Sequence, residues 1–311
     1  MIKLKKIIVA RYYGFCMGVK RAISTAEATM AKGGPITILN EIVHNDAIVK
    51  KFEEAGLAQS SSIDNIKKGT VIISAHGASP EIFQKAAEKG LKIVDATCPL
   101  VIRIHKIIQK LAEKGYRILH FGDPDHDETV GIIGHAPGRV RVVTSLSDLD
   151  SIDNIEGKLA LTSQTTARAA DFKEIEKLAL RKFPQVEVFN TICNATNQRQ
   201  VAVMDLAPQV DMMLVVGSST SANSKRLAQI SSAICASSHL INTADDIREE
   251  WFHGPDGDVA VVGLSAGAST PDFLIDGAIT RLKELSGGRV KVVYPPKGSK
   301  KNRLTLKKDP L

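Results

Sequence analysis

Long apolar runs are absent from these 311 residues. None approaches the roughly 20 consecutive apolar positions that a membrane-spanning helix requires. Cysteine is scarce: there are four, with no C-x-x-C pair, which argues against a structural zinc ribbon or a thioredoxin-like site. The N-terminus is basic from Met1 to Lys6, but the apolar stretch Ile7 to Ala10 is too short for a signal-peptide core. The expected compartment is therefore the cytoplasm, where cysteines are seldom paired in disulfides. A basic body is lacking too. Eight Lys/Arg residues from Arg289 onward, against Asp309 alone, account for the whole formal charge of +7. The surplus is a tail and not a patch on the folded part, so nucleic acid is not an expected partner.

What is present is a soluble-type composition, 43% hydrophobic, long enough for two or three domains with real cores. The chain is organised around Ile93 to Leu100. A short apolar pair runs into Asp95, Thr97 and Cys98, and Pro99 opens an apolar-periodic segment to Leu111. Proline is well tolerated at the first helical position, so Cys98 is expected where a strand ends and a helix begins. The positive end of that helix favours the thiolate. Cys16 and Cys193 also precede helix starts, and the three cysteines are spaced 82 and 95 residues apart. His44 follows Cys16 by 28 residues, His126 follows Cys98 by 28, and Asn223 follows Cys193 by 30. Ser74, Ser163 and Ser265 close a strand in each segment, the last of these strands expected over Val259 to Leu264.

Strand–helix alternation of this kind implies parallel sheets with ligands at the carboxyl ends of the strands. The expected fold is α/β: three similar units, each with a small parallel sheet, in pseudo-threefold arrangement around one shared centre. The boundaries read 1–15 for an N-terminal strand segment, 16–97, 98–192 and 193–285 for the units, and 286–311 for the basic tail.

Three thiolates from three equivalent positions suit an iron–sulfur cluster. A [4Fe–4S] cluster takes four ligands, so three would leave one iron open to a substrate. Cys235, within the apolar stretch Ile230 to His239, reads as a helical core residue. His44, His76 and His126, joined by Ser221, Asn223 and Ser269, lie at strand ends beside helix starts. As a set they suit a phosphate or diphosphate. His126-Asp127-Glu128 contains H-x-E, but the P-C-x-x-C of a zinc deaminase is missing. Glu128 is a candidate proton donor, its plainer alternative being an exposed loop carboxylate. Thr165 and Thr166 read either as helix caps or as hydroxyl partners of a substrate. A nucleic-acid-binding iron–sulfur sensor and a zinc hydrolase are the competing classes. The first needs a fourth ligand, and the cysteine spacing does not resemble that of zinc ligands.

The blocks Gly14 to Val19, Glu41 to Asn45, Ser74 to Gly77 and Asp95 to Val101 resemble successive motifs of the 4-hydroxy-3-methylbut-2-enyl diphosphate reductase family, also called IspH or LytB. Thr162 to Thr166, Ile192 to Thr196 and Ser265 to Asp272 continue the resemblance in order. It implies a two-electron reductive dehydroxylation giving isopentenyl and dimethylallyl diphosphates, the last step of the non-mevalonate isoprenoid pathway. It further implies a [4Fe–4S] cluster on Cys16, Cys98 and Cys193 with an open iron, and proton delivery by Glu128. Thr165 and His126 would bond around the substrate hydroxyl. His44, His76, His126, Ser221, Asn223 and Ser269 would hold the diphosphate, and ferredoxin or flavodoxin would donate electrons. This chain departs from the family pattern in having Asp125-His126-Asp127-Glu128 in place of Gly-His-Pro-Glu, Ala222 in place of a serine, and an unmatched tail after Gly288.

Overall fold

Short apolar strands alternating with helices carry the chain into three parallel sheets. The computed structural model describes residues 1–254 and 257–296. The elements run β1 (Lys6–Val9), α1 (Met17–Met30), β2 (Ile36–Leu39), α2 (Asp46–Glu54), β3 (Ala58–Ser60), β4 (Thr70–Ile73), α3 (Pro80–Glu88), β5 (Lys92–Asp95) and α4 (Pro99–Glu113). They continue with β6 (Arg117–Phe121), α5 (Asp127–His135), β7 (Val140–Val143), α6 (Leu146–Asp150), β8 (Leu159–Ser163), α7 (Ala169–Lys182) and β9 (Val186–Val188). The last are α8 (Asn194–Leu206), β10 (Met212–Val216), α9 (Ala222–Ser232), β11 (Ser237–Ile241), the hairpin β12 (His253–Gly254) and β13 (Gly257–Asp258), β14 (Val261–Ala266), α10 (Asp272–Leu285) and β15 (Lys291–Val293).

Two sheets have the orders β3-β2-β4-β5 and β7-β6-β8-β9, which are one and the same topology. The third, β11-β10-β14-β1-β15, repeats it for three strands, and β1 stands where the fourth belongs. All pairings in the three sheets are parallel. Each of Cys98, Cys193 and Cys16 therefore follows the strand in fourth place. The described residues divide into two compact units: Met1–Cys16, His44–Asp46, 194–254 and 257–296 form one, and Met17–Val43 with Ala47–Cys193 the other. The first holds the five-stranded sheet and the second both four-stranded sheets.

The sequence periods explain the packing. In α4, Val101, Ile104, Ile108 and Leu111 recur at helical spacing and are buried. Of these, Ile104, Ile108 and Leu111 join Ile118 and Ile132 to bring α4, α5 and β6 into one cluster. Strand β10 is apolar throughout and wholly buried, as a central strand covered on both faces must be. Fully burying each such side chain contributes about 1.5–3 kcal/mol.

Three details differ from the sequence reading. The strand expected over Val259 to Leu264 is shifted to Val261–Ala266, because Ser265 and Ala266 pair with Val215 and Val216 while Asp211 Oδ2 binds the amides of Ala260 and Val261. Cys235 is buried, but it lies in the turn between α9 and β11 and not in a helix. There Ser237 to Ile241 gain a parallel ladder against β10. The stretch from residue 286 is not all tail, since Lys291–Val293 form an edge strand on β1. Its remainder from Lys297 lies outside the described residues. Among the described residues, no helix is long and apolar enough to cross a membrane.

Candidate active site

Cys16, Cys98 and Cys193 are each half-buried and outside any disulfide, and each is set by the same device. The Cys98 amide donates to Ala75 O, that of Cys193 to Thr165 O and that of Cys16 to Ala268 O, all at 3.0 Å. The three acceptors sit just beyond the third strand of their sheets, after Ser74, Ser163 and Ser265. Ahead of Cys98, Asp95 Oδ1 accepts from the Thr97 amide at 2.9 Å, and ahead of Cys193, Asn190 Oδ1 accepts from the Ile192 amide at 3.1 Å. These Asx turns steer the chain from strand to helix. Gly14 makes the corresponding bend before Cys16 with φ 66°. A Cβ there would lie 3.2 Å from Ile275 Cδ1 and 3.3 Å from Asp272 Oδ1. Arg199 Nη2 donates to the Gly14 carbonyl, and Arg21 Nη1 to that of Thr97 at 2.7 Å. Thiols held in this way at helix starts fit the ligand set of an iron–sulfur cluster.

The second unit brings Glu128, Thr165, His126 and His76 into one region. His126 caps α5, its Nδ1 accepting from the Glu128 amide at 3.1 Å. Its ring meets that of His76 edge to face, with centroids 5.3 Å apart. Glu128, only 2% exposed, accepts from the Thr165 amide at 2.7 Å and from the Thr165 hydroxyl. The reading of Glu128 as an exposed loop carboxylate is thereby overturned. Burial pushes its carboxyl up from the ordinary range, and the two Thr165 bonds oppose that rise. Thr165 and Thr166 do not cap α7, which begins at Ala169 after Arg168. Thr165 serves Glu128, and Thr166 Oγ1 accepts from Gln164 Nε2 at 3.0 Å.

In the first unit, Ser221 caps α9 and accepts from the Ser224 amide. The Ser269 hydroxyl donates to His44 O at 2.9 Å and lies 3.3 Å from Ser221 Oγ. Asp46, two residues beyond His44, accepts from Asn242 Nδ2 at 2.7 Å and from the Ser218 hydroxyl, which ties the histidine segment to the ends of β10 and β11. Asn223 is 4% exposed, yet neither Nδ2 nor Oδ1 has a hydrogen-bond partner. Ser224 Oγ and Ser265 Oγ are buried in the same condition. A buried amide left unmatched is costly unless a ligand matches it.

Sequence reasoning missed Gln164, Arg21 and Asn40. Gln164 is buried and its Oε1 accepts from the Asp123 amide at 3.0 Å, so it anchors the loop that leads to His126. Its position directly after β8 was the available signal. The arginine and asparagine bonds reach across 76 and 87 positions, and no local pattern announces them.

The family model for LytB protein matches residues 7–283. A protein of Geobacter metallireducens named 4-hydroxy-3-methylbut-2-enyl diphosphate reductase is 39% identical over 91% of this chain and 99% of its own length. One of Aquifex aeolicus with the same name is 37% identical over 91% of this chain and 98% of its own. Among solved structures, the E-1-hydroxy-2-methyl-but-2-enyl-4-diphosphate reductase from Plasmodium falciparum matches at TM-score 0.89 and 31% identity, covering 95% of this chain and 94% of that one. A structure of (E)-4-hydroxy-3-methyl-but-2-enyl diphosphate reductase matches at TM-score 0.63 and 37% identity, over 91% of this chain and all of that one.

Proposed function

The chain belongs to the LytB family, and from that premise we propose that it reduces 4-hydroxy-3-methylbut-2-enyl diphosphate to isopentenyl and dimethylallyl diphosphates. The change consumes two electrons and two protons: the allylic C–O bond breaks, the hydroxyl leaves as water, and a carbon of the allyl unit gains a proton. Cys16, Cys98 and Cys193 would hold one [4Fe–4S] cluster, which when bound supplies the electrons and an open iron as Lewis acid for the hydroxyl.

The rest of the work falls to the side chains. Asn223, Ser221 and Ser269, with His44, His76 and His126, bind the diphosphate through neutral donors and a helix N-terminus. Anchoring that end fixes the distance at which the hydroxyl is presented. Glu128 holds the proton the leaving hydroxyl needs, and Thr165 and His126 orient it. Burial keeps that carboxyl protonated at a pH where an exposed one would have lost its proton. What supports the reading above all is Thr165, which binds Glu128 through its amide and hydroxyl and the Cys193 amide through its carbonyl. One residue thus joins the acid to a cluster ligand. Electrons would come from a small carrier such as ferredoxin or flavodoxin, in the cytoplasm. The three repeated sheets are proposed as three copies of one unit around the cluster. The nucleic-acid sensor is not supported, because the matching relatives are named as reductases.

Mössbauer spectra of anaerobically purified, iron-57-enriched protein, with and without the hydroxylated diphosphate, test this. One iron site alone should change on addition of substrate. A four-iron cluster indifferent to substrate would defeat the reductase reading, and protein that binds no iron would defeat the cysteine assignment.

A further inference from the structure

Asn40 and Asp127 have no part in the roles given above. Asn40 is the non-glycine residue with positive φ among the described residues, at 58°. Asparagine tolerates this left-handed conformation better than most side chains. Its backbone is pinned at the end of β2, where its amide donates to Ser60 O at 2.9 Å. From this fixed point Nδ2 donates to Asp127 Oδ1 at 3.0 Å, partly buried and across 87 positions of sequence. Asp127 is the first residue of α5, between the capping His126 and the buried Glu128. A carboxylate there is favoured by the helix dipole. A proline at that place would have its φ set by the ring, whereas an aspartate has no such restraint. The asparagine bond supplies it.

We propose that Asn40 and Asp127 are a positioning pair that fixes the first turn of α5, and with it the Glu128 carboxyl and the His126 ring. Thr165 holds the Glu128 carboxylate from one side. Asn40 holds the preceding residue from the other, through a strand end that belongs to a different sheet. The catalytic consequence rests on the proposed function, while the structural one does not.

Asn40→Gly is the clean perturbation, because glycine keeps the left-handed backbone and only the donor is lost. Losing a hydrogen bond to a charged group corresponds to roughly a tenfold effect or more. In the purified protein, hydrogen–deuterium exchange across residues 126–133 should quicken by about tenfold in Asn40→Gly and in Asp127→Ala, with no further gain in the double variant. Asp127→Asn keeps an acceptor oxygen and should exchange like the wild type. Asp127→Pro placed in the Asn40→Gly background should restore protection. Turnover should follow the same order, with kcat falling about tenfold and KM within about twofold. Unchanged exchange in Asn40→Gly, additive effects in the double variant, or lost turnover with normal exchange would each overturn the pair. Should wild-type protein not turn over the diphosphate, the reaction reading fails and the exchange data still decide the pair.

Discussion

Replacing Glu128 by glutamine separates proton delivery from architecture. The side chain is 2% exposed and accepts two hydrogen bonds from Thr165. Glutamine keeps the shape and leaves its carbonyl for the Thr165 amide, but the hydroxyl of Thr165 must turn from donor to acceptor. That rearrangement costs about 1 kcal/mol at most, a fall in Tm of no more than about 4 °C for a chain of this size. The chemical loss is much larger. A positioned general acid contributes roughly 10²–10⁴ in rate, about 2.7–5.5 kcal/mol of transition-state stabilisation. The variant should therefore keep its iron content and bind substrate while kcat drops at least about a hundredfold. A pH signature accompanies it. Burial raises the Glu128 pKa, so wild-type kcat should decline on a basic limb displaced upward from that of an exposed carboxyl. The residual rate of Glu128→Gln should lack that limb. A variant whose kcat stays within about threefold of wild type, with the limb intact, would refute the assignment of Glu128 as the acid.

Asn223→Ala should raise the Kd for the diphosphate by about 10–100-fold, the worth of one charge-assisted hydrogen bond. It should also leave Tm unchanged or higher, because the free protein no longer buries an unmatched amide. Calorimetry showing Kd within about twofold would remove Asn223 from the diphosphate site. Stability should also respond to acid through three histidines. Burial pushes His105 and His120 down to about 3 and also lowers His135, whose ring lies 4.0 Å from that of His105. These groups stay neutral in the folded protein while the unfolded chain binds protons below the ordinary value of 6.5. Their contribution is thus fully present above that pH and lost as pH falls through it; for His105 and His120 the loss continues toward pH 3, by up to about 1.4 kcal/mol per pH unit for each of these two. Urea midpoints that are flat between pH 7.5 and 5 would contradict this.

Local signals carried much of the molecule. The positions where helices start after Cys16, Cys98 and Cys193 follow from Pro99, from turn-forming residues and from apolar periodicity, all of which act within a few residues. The repeated spacing of cysteine and histidine likewise made three similar sheets readable. Several of the edge strands were not readable. Ala58–Ser60 and Ser237–Ile241 are rich in polar residues, Val186–Val188 is only three residues long, and each is a strand because a neighbour supplies a ladder. β1 was readable as a strand, but its place in the sheet was not, because its partners β14 and β15 lie at the far end of the chain.

The candidate site divides along the same line. Residue types and order suffice to name cysteine ligands, a polar diphosphate set and an acid candidate, because those are chemical properties a side chain carries wherever it sits. Whether Glu128 is an exposed loop carboxylate or a buried acid depends on Thr165, 37 residues away. The anchoring of Asp127 at the start of its helix depends on Asn40, 87 positions away. Burial and hydrogen-bond partners belong to the folded neighbourhood, so only the tertiary structure could decide the protonation of Glu128 and the restraint on the turn that carries it.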